Sequence, residues 1–101
     1  MHLKQPIQDG IIACAKRYGI ERILLFGSRA RGDHHPRSDI DLAILGGDTL
    51  HFTFALEEEV PTLLSFDVVR LDAPIQDELL ANIQREGILL YEKNGKLCSG
   101  A

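Results

Sequence analysis

Three aspartates and one glycine–serine pair carry the chemistry this sequence offers. Asp39 and Asp41 stand two apart in Ser38-Asp39-Ile40-Asp41-Leu42. On a strand, alternation sends both carboxylates to one face and Ile40 and Leu42 to the other, toward a core. Two carboxylates so placed are costly to ionise together unless a positive charge lies between them. Mg²⁺ is the natural candidate, being a hard ion that takes oxygen ligands and shares them with substrate phosphates. Asp67 lies in a second apolar run, Phe66-Asp67-Val68-Val69. If the two runs are neighbouring strands, all three carboxylates meet on one face. Such a trio can hold two metal ions about 3.5–4 Å apart, the arrangement of phosphoryl and nucleotidyl transfer. Taken singly, each aspartate has a plainer reading: a turn cap near Pro36, a solvated strand end, or an edge-strand residue facing water.

Gly27-Ser28 closes the apolar run Ile23-Leu24-Leu25-Phe26. Glycine lets the backbone turn sharply and approach a ligand. Ser28 is then placed to open a helical turn as its N-cap, and a helix start offers N–H groups to phosphate. Arg29, Arg31 and Arg37 bring positive charge to the same stretch. Alone, the pair is equally an ordinary strand-to-helix turn with solvated arginines.

The surrounding elements follow from periodicity. Residues 5–18 predict a helix, with Ile7, Ile11, Cys14 and Tyr18 at helical spacing, Pro6 near its start and Gly19 as its cap. Residues 20–26 predict a strand covered on both faces. A polar, turn-rich loop occupies 28–37, and a strand covers 38–45 before Gly46-Gly47. A helix over 49–60 ends at Pro61. A strand at 66–71, a helix at 75–86 and a short strand at 88–91 complete the order. The expected fold is α/β (α+β), a small mixed β-sheet flanked by helices. Leu50, Phe52, Phe54 and Leu56 are expected to be mostly core, with any surplus apolar surface left for a partner. Glu57-Glu58-Glu59 reads as a solvated helix face, His34 and His35 as exposed loop residues, and Cys14 as a buried small apolar residue.

At 101 residues, one domain over 1–91 is expected, with a loose tail over 92–101. The net charge of −4 argues against broad nucleic-acid binding, although metal-binding carboxylates inflate the acidic count. No apolar run reaches a membrane span and no signal-peptide pattern opens the chain. Two cysteines, Cys14 and Cys98, make neither a disulfide framework nor a metal knuckle. A cytoplasmic location is expected.

The decisive signal is the combination. Ten residues separate Ser28 from Asp39, giving Gly-Ser-(x)10-Asp-x-Asp. Phe26-Gly27-Ser28-Arg29-Ala30-Arg31-Gly32, followed by Ser38-Asp39-Ile40-Asp41-Leu42, resembles the minimal nucleotidyltransferases of the DNA polymerase beta superfamily, and Asp67 stands where that family carries its third carboxylate. The resemblance implies a polymerase beta palm-like fold and an adenylyltransferase activity. It implies Asp39, Asp41 and Asp67 as catalytic metal ligands for two Mg²⁺ ions. It implies Gly27, Ser28, Arg29 and Arg31 as the nucleotide-binding set, with ATP as donor. It also implies a hetero-oligomeric pairing with a small helical HEPN-type toxin, neutralised by transfer of AMP to a tyrosine. Two alternatives stand beside it: an antitoxin that masks its partner without catalysis, and a transferase acting on a small molecule or an RNA end.

Overall fold

A computed structural model of the protein describes residues 3–32 and 37–93. The elements run α1 (Gln5–Arg17), β1 (Arg22–Phe26), α2 (Ser28–Arg31), β2 (Ile40–Leu45), α3 (Thr49–Glu59), β3 (Phe66–Arg70), α4 (Asp77–Glu86) and β4 (Ile88–Glu92). The strands form one mixed sheet in the order β3-β2-β1-β4. β1 pairs antiparallel with both β2 and β4, while β2 and β3 are parallel. A parallel pair cannot be joined by a tight turn, and α3 provides the crossover.

Alternation along the strands builds two apolar layers. Ile23 and Leu25 of β1 and Ile40, Leu42 and Ile44 of β2 are fully buried against α1 and α3. The opposite face carries Phe26 and Ala43, packed with Ile83 of α4 and flanked by Leu24, Val69, Leu71 and Leu79. Asp41 and Asp67 belong to this second, thinner face by strand parity. The sheet therefore needs its first layer for stability and spends part of its second on polar chemistry.

Several expectations are refined. α1 matches its periodicity: Ile7, Ile11, Cys14 and Ala15 are buried, and Gly19 just past its end has φ +70°. Leu50, Phe52, Phe54 and Leu56 divide. Phe52 and Leu56 are fully buried, whereas Leu50 and Phe54 are 62% and 58% exposed. A two-residue repeat on a helix advances about 200° per step, so alternate members face opposite ways. Glu57, Glu58 and Glu59 are exposed as expected, and Glu59 pairs with Arg17. β4 extends through Glu92, whose carboxylate meets Arg22 at 2.7 Å. His34, His35, Cys98 and the tail beyond Lys93 lie outside the described residues. Among the described residues, no helix is long and apolar enough to cross a membrane.

Phe52 is the largest fully buried side chain and joins α3 to the first layer. Phe52→Ala is expected to cost about 3–5 kcal/mol of unfolding free energy. Leu50→Ala, on the outer face of the same helix, is expected to stay within about 0.5 kcal/mol. Urea denaturation followed by circular dichroism checks both.

Candidate active site

The site is built where three strand ends meet. β1 ends at Phe26, whose register partner on β2 is Asp41, and Asp41 is in turn the register partner of Asp67 on β3. One row across the sheet thus reads Phe26, Asp41, Asp67, with Asp39 two residues before Asp41. Asp39 lies just outside the strand, which begins at Ile40, and is exposed. The strand expected from residue 38 is shorter because Ile40 N–H bonds the Ser65 carbonyl at 2.9 Å and opens the ladder there. The neighbouring-strand condition raised by the sequence is met. Asp67 is both an edge-strand residue exposed to water and the in-register partner of Asp41.

The electrostatics centre on Asp41. Its carboxyl is pushed up to about 6, first by desolvation, then by the nearby charges of Asp67 and Asp39, with Arg31 pulling the other way. Burial and like charge act together and outweigh the opposing pull of Arg31. Among the described residues, no group of three or more acidic, histidine or cysteine side chains is arranged so that it could hold a metal ion. The donor set nonetheless fits a hard divalent cation: every donor is a carboxylate oxygen, and a cation there would relieve both the repulsion and the desolvation.

Gly27 is required by this crowding. Its φ is +78°, and a Cβ added there would lie 2.2 Å from Oδ2 of Asp41. The Asp41 carboxylate therefore occupies the space a side chain would take. Because the chain turns at Gly27, glycine rather than serine is the N-cap of α2, and Ser28 is its first residue. The carbonyl of Gly27 accepts from the N–H groups of Ala30 and Arg31, both at 3.1 Å.

The two arginines of the turn differ. Arg29 is 7% exposed, the only buried charged side chain among the described residues. Its Nε and Nη2 donate to the Ser38 carbonyl at 3.2 and 3.1 Å. It thereby ties α2 to the residue that precedes Asp39. Arg31 is half exposed, meets Glu86 of α4 at 2.9 Å, and still acts on Asp41. Neither the Ser38 carbonyl nor Glu86 carries a sequence signal: one is a backbone atom and the other lies 55 residues from its partner. A cleft of about 440 Å³ opens beside Asp39, lined also by Arg37, Leu63, Leu64 and Ser65. Leu63-Leu64 is an apolar pair in a loop, a feature that sequence reasoning passed over.

Residues 9–96 match the family model described as polymerase beta, nucleotidyltransferase. The chain belongs to that family. It is a nucleotidyltransferase, and the mixed sheet with its flanking helices is the fold of the family. A protein of Methanocaldococcus jannaschii, provisionally named a protein adenylyltransferase, is 32% identical over 103 residues, covering 90% of this chain and all of the relative. A crystal structure of a toxin–antitoxin with AMP-PNP contains a chain of the same fold, with a TM-score of 0.70 and 24% identity over 87% of this chain and 75% of that one. A structure described as a minimal nucleotidyltransferase gives a TM-score of 0.63 and 28% identity over 80% of this chain and 86% of the other.

Two expected outcomes follow from the site's physics. In metal-free buffer, ionising Asp41 costs more in the folded state than in the unfolded chain, because its folded pKa is raised. Its contribution to stability is complete below the ordinary carboxylate range and is lost as pH rises through about 6. Asp41→Asn should therefore melt above the wild type near pH ~8, with the gap closing toward pH ~4; thermal melts across pH decide it. Arg29→Met should lose roughly 1.5–3 kcal/mol by removing charged hydrogen bonds from the partly buried Ser38 carbonyl, read by urea titration.

Proposed function

We propose that the protein transfers AMP from ATP to a tyrosine hydroxyl of a small helical HEPN-type toxin, and that it serves as the antitoxin of that pair. The observation that carries the reading is the in-register placement of Asp41 beside Asp67, with Asp39 adjacent. The name of the Methanocaldococcus jannaschii relative and the toxin–antitoxin structure with AMP-PNP support an adenine nucleotide as donor and a toxin as partner, and the HEPN type and the tyrosine rest on the family resemblance.

In this reading the acceptor oxygen attacks the α-phosphorus, the new O–P bond forms, and the bond to the departing pyrophosphate breaks. Asp67, exposed at the sheet edge, takes the hydroxyl proton and passes it to water. Asp39, Asp41 and Asp67 would hold two Mg²⁺ ions. When bound, these supply Lewis-acid polarisation of the hydroxyl and phosphates. Gly27 and Ser28 receive the β- and γ-phosphates, as a glycine-led helical turn suits. Arg31, held over the site by Glu86, offsets charge that develops on the phosphates. Arg29 contributes to nucleotide binding indirectly, by fixing the Ser38–Asp39 backbone against α2.

The test uses the protein, Mg²⁺ and a HEPN-type partner with ATP labelled at either the α- or the γ-phosphate. Label from the α-position should appear on the partner, and label from the γ-position should not. Asp39→Asn should lower transfer at least about a hundredfold while leaving the circular dichroism spectrum unchanged. Neutralisation of the partner without label would instead favour masking by binding alone.

A further inference from the structure

The strand order gives the site two sides. Gly27-Ser28 closes β1, Asp41 and Asp67 sit on β2 and β3 with Asp39 just ahead of β2, and the loop from Pro61 to Ser65 leads into β3 at the sheet edge. In an in-line displacement the attacking and leaving oxygens lie on opposite sides of the phosphorus. With the triphosphate on the β1 turn, the acceptor must approach from the β3 side.

That side holds the cleft of about 440 Å³ in which Asp39 and Arg37 face Leu63, Leu64 and Ser65. A second cleft of about 300 Å³, lined by Glu57, Thr62, Leu63, Leu64, Ser65 and Phe66, shares the same loop. Leu63 lines both and is fully exposed, at 105% relative exposure. A single exposed leucine is ordinary on a protein surface. This one is set on an anchored loop. Leu64 N–H donates to Thr62 Oγ1 at 3.1 Å, Thr62 N–H donates to the Val60 carbonyl at 2.8 Å, and the Ser65 carbonyl accepts from Ile40 N–H.

We propose that the Leu63 cleft is the acceptor subsite, and that it takes a polypeptide segment carrying a bulky apolar side chain next to the hydroxyl that receives the nucleotide. The assignment rests on the transfer reading above and names what that site recognises. Continuity selects the occupant: Asp39 lines the cleft and stands two residues from Asp41 of the carboxylate row, so whatever fills the cleft lies beside the reacting atoms. Its chemistry selects the class. An RNA end or a cationic sugar would leave Leu63 and Leu64 unused. A peptide would bury them and keep its polar backbone toward Arg37, Asp39 and Ser65.

The probe is a pair of synthetic peptides, each with one tyrosine, flanked by leucines in one and by serines in the other, with α-labelled ATP and Mg²⁺. The wild type should favour the leucine peptide in kcat/KM by at least about tenfold. Leu63→Ser should remove that preference while leaving the KM for ATP and the thermal melt unchanged. No preference in the wild type, or a preference that survives Leu63→Ser, overturns the subsite. Labelling of an intact HEPN-type partner with neither peptide labelled also overturns it, because the acceptor is then recognised elsewhere. No label on any protein removes the transfer reading itself.

Discussion

Everything at this site depends on holding like charges together. The parallel pairing of β2 with β3 sets Asp41 opposite Asp67, and Asp39 follows two residues away. The arrangement opposes folding of the apoprotein, since Asp41 is partly desolvated and repelled from two directions. A protein of this size has little stability to spare. The fold meets the demand by concentrating its core elsewhere. The α1/α3 layer holds the fully buried isoleucines and leucines of β1 and β2, and the carboxylates stand at the open end of the other face.

Three supports make the crowding tolerable, each working through space rather than sequence. The absent side chain at Gly27 gives the Asp41 carboxylate its room, and the positive φ turns the chain away. Buried Arg29 fixes the backbone ahead of Asp39 through the Ser38 carbonyl. Arg31 lends its charge to Asp41 while tethered to Glu86 on α4. The helix that covers the thin face therefore also steadies Arg31, which moderates the central carboxylate. Such interlocking is a common way to position a charged site, because ionic contacts are worth most where partners are pre-set.

Much of this was legible in the chain itself. The order of elements follows from periodicity, and the alternation that sends Ile40 and Leu42 inward also sends the aspartates outward. The Gly27-Ser28 and Asp39-Ile40-Asp41 spacing carried the family resemblance, and the family match over residues 9–96 agrees with it. Local patterns could not show which strands pair, so the meeting of Asp41 and Asp67 stayed conditional until the sheet order was seen. The role of Arg29 was hidden because its acceptor is a backbone carbonyl. Leu50 and Phe54 are the surplus apolar surface expected of that helix, and the helical turn decides which members of the repeat they are, since alternate positions face opposite ways. The Leu63 loop gave no signal, since an exposed leucine looks like any other in sequence.

In the proposed reaction the row from the β1 turn to Asp67 binds metal and triphosphate together. The most direct measurement is a crystal structure with Mn²⁺ and a non-hydrolysable ATP analogue, the ions located by anomalous scattering. Manganese is expected among Asp39, Asp41 and Asp67, with the β- and γ-phosphates against Gly27 and Ser28. Manganese away from these carboxylates, or phosphates bound at the opposite end of the sheet, would contradict it.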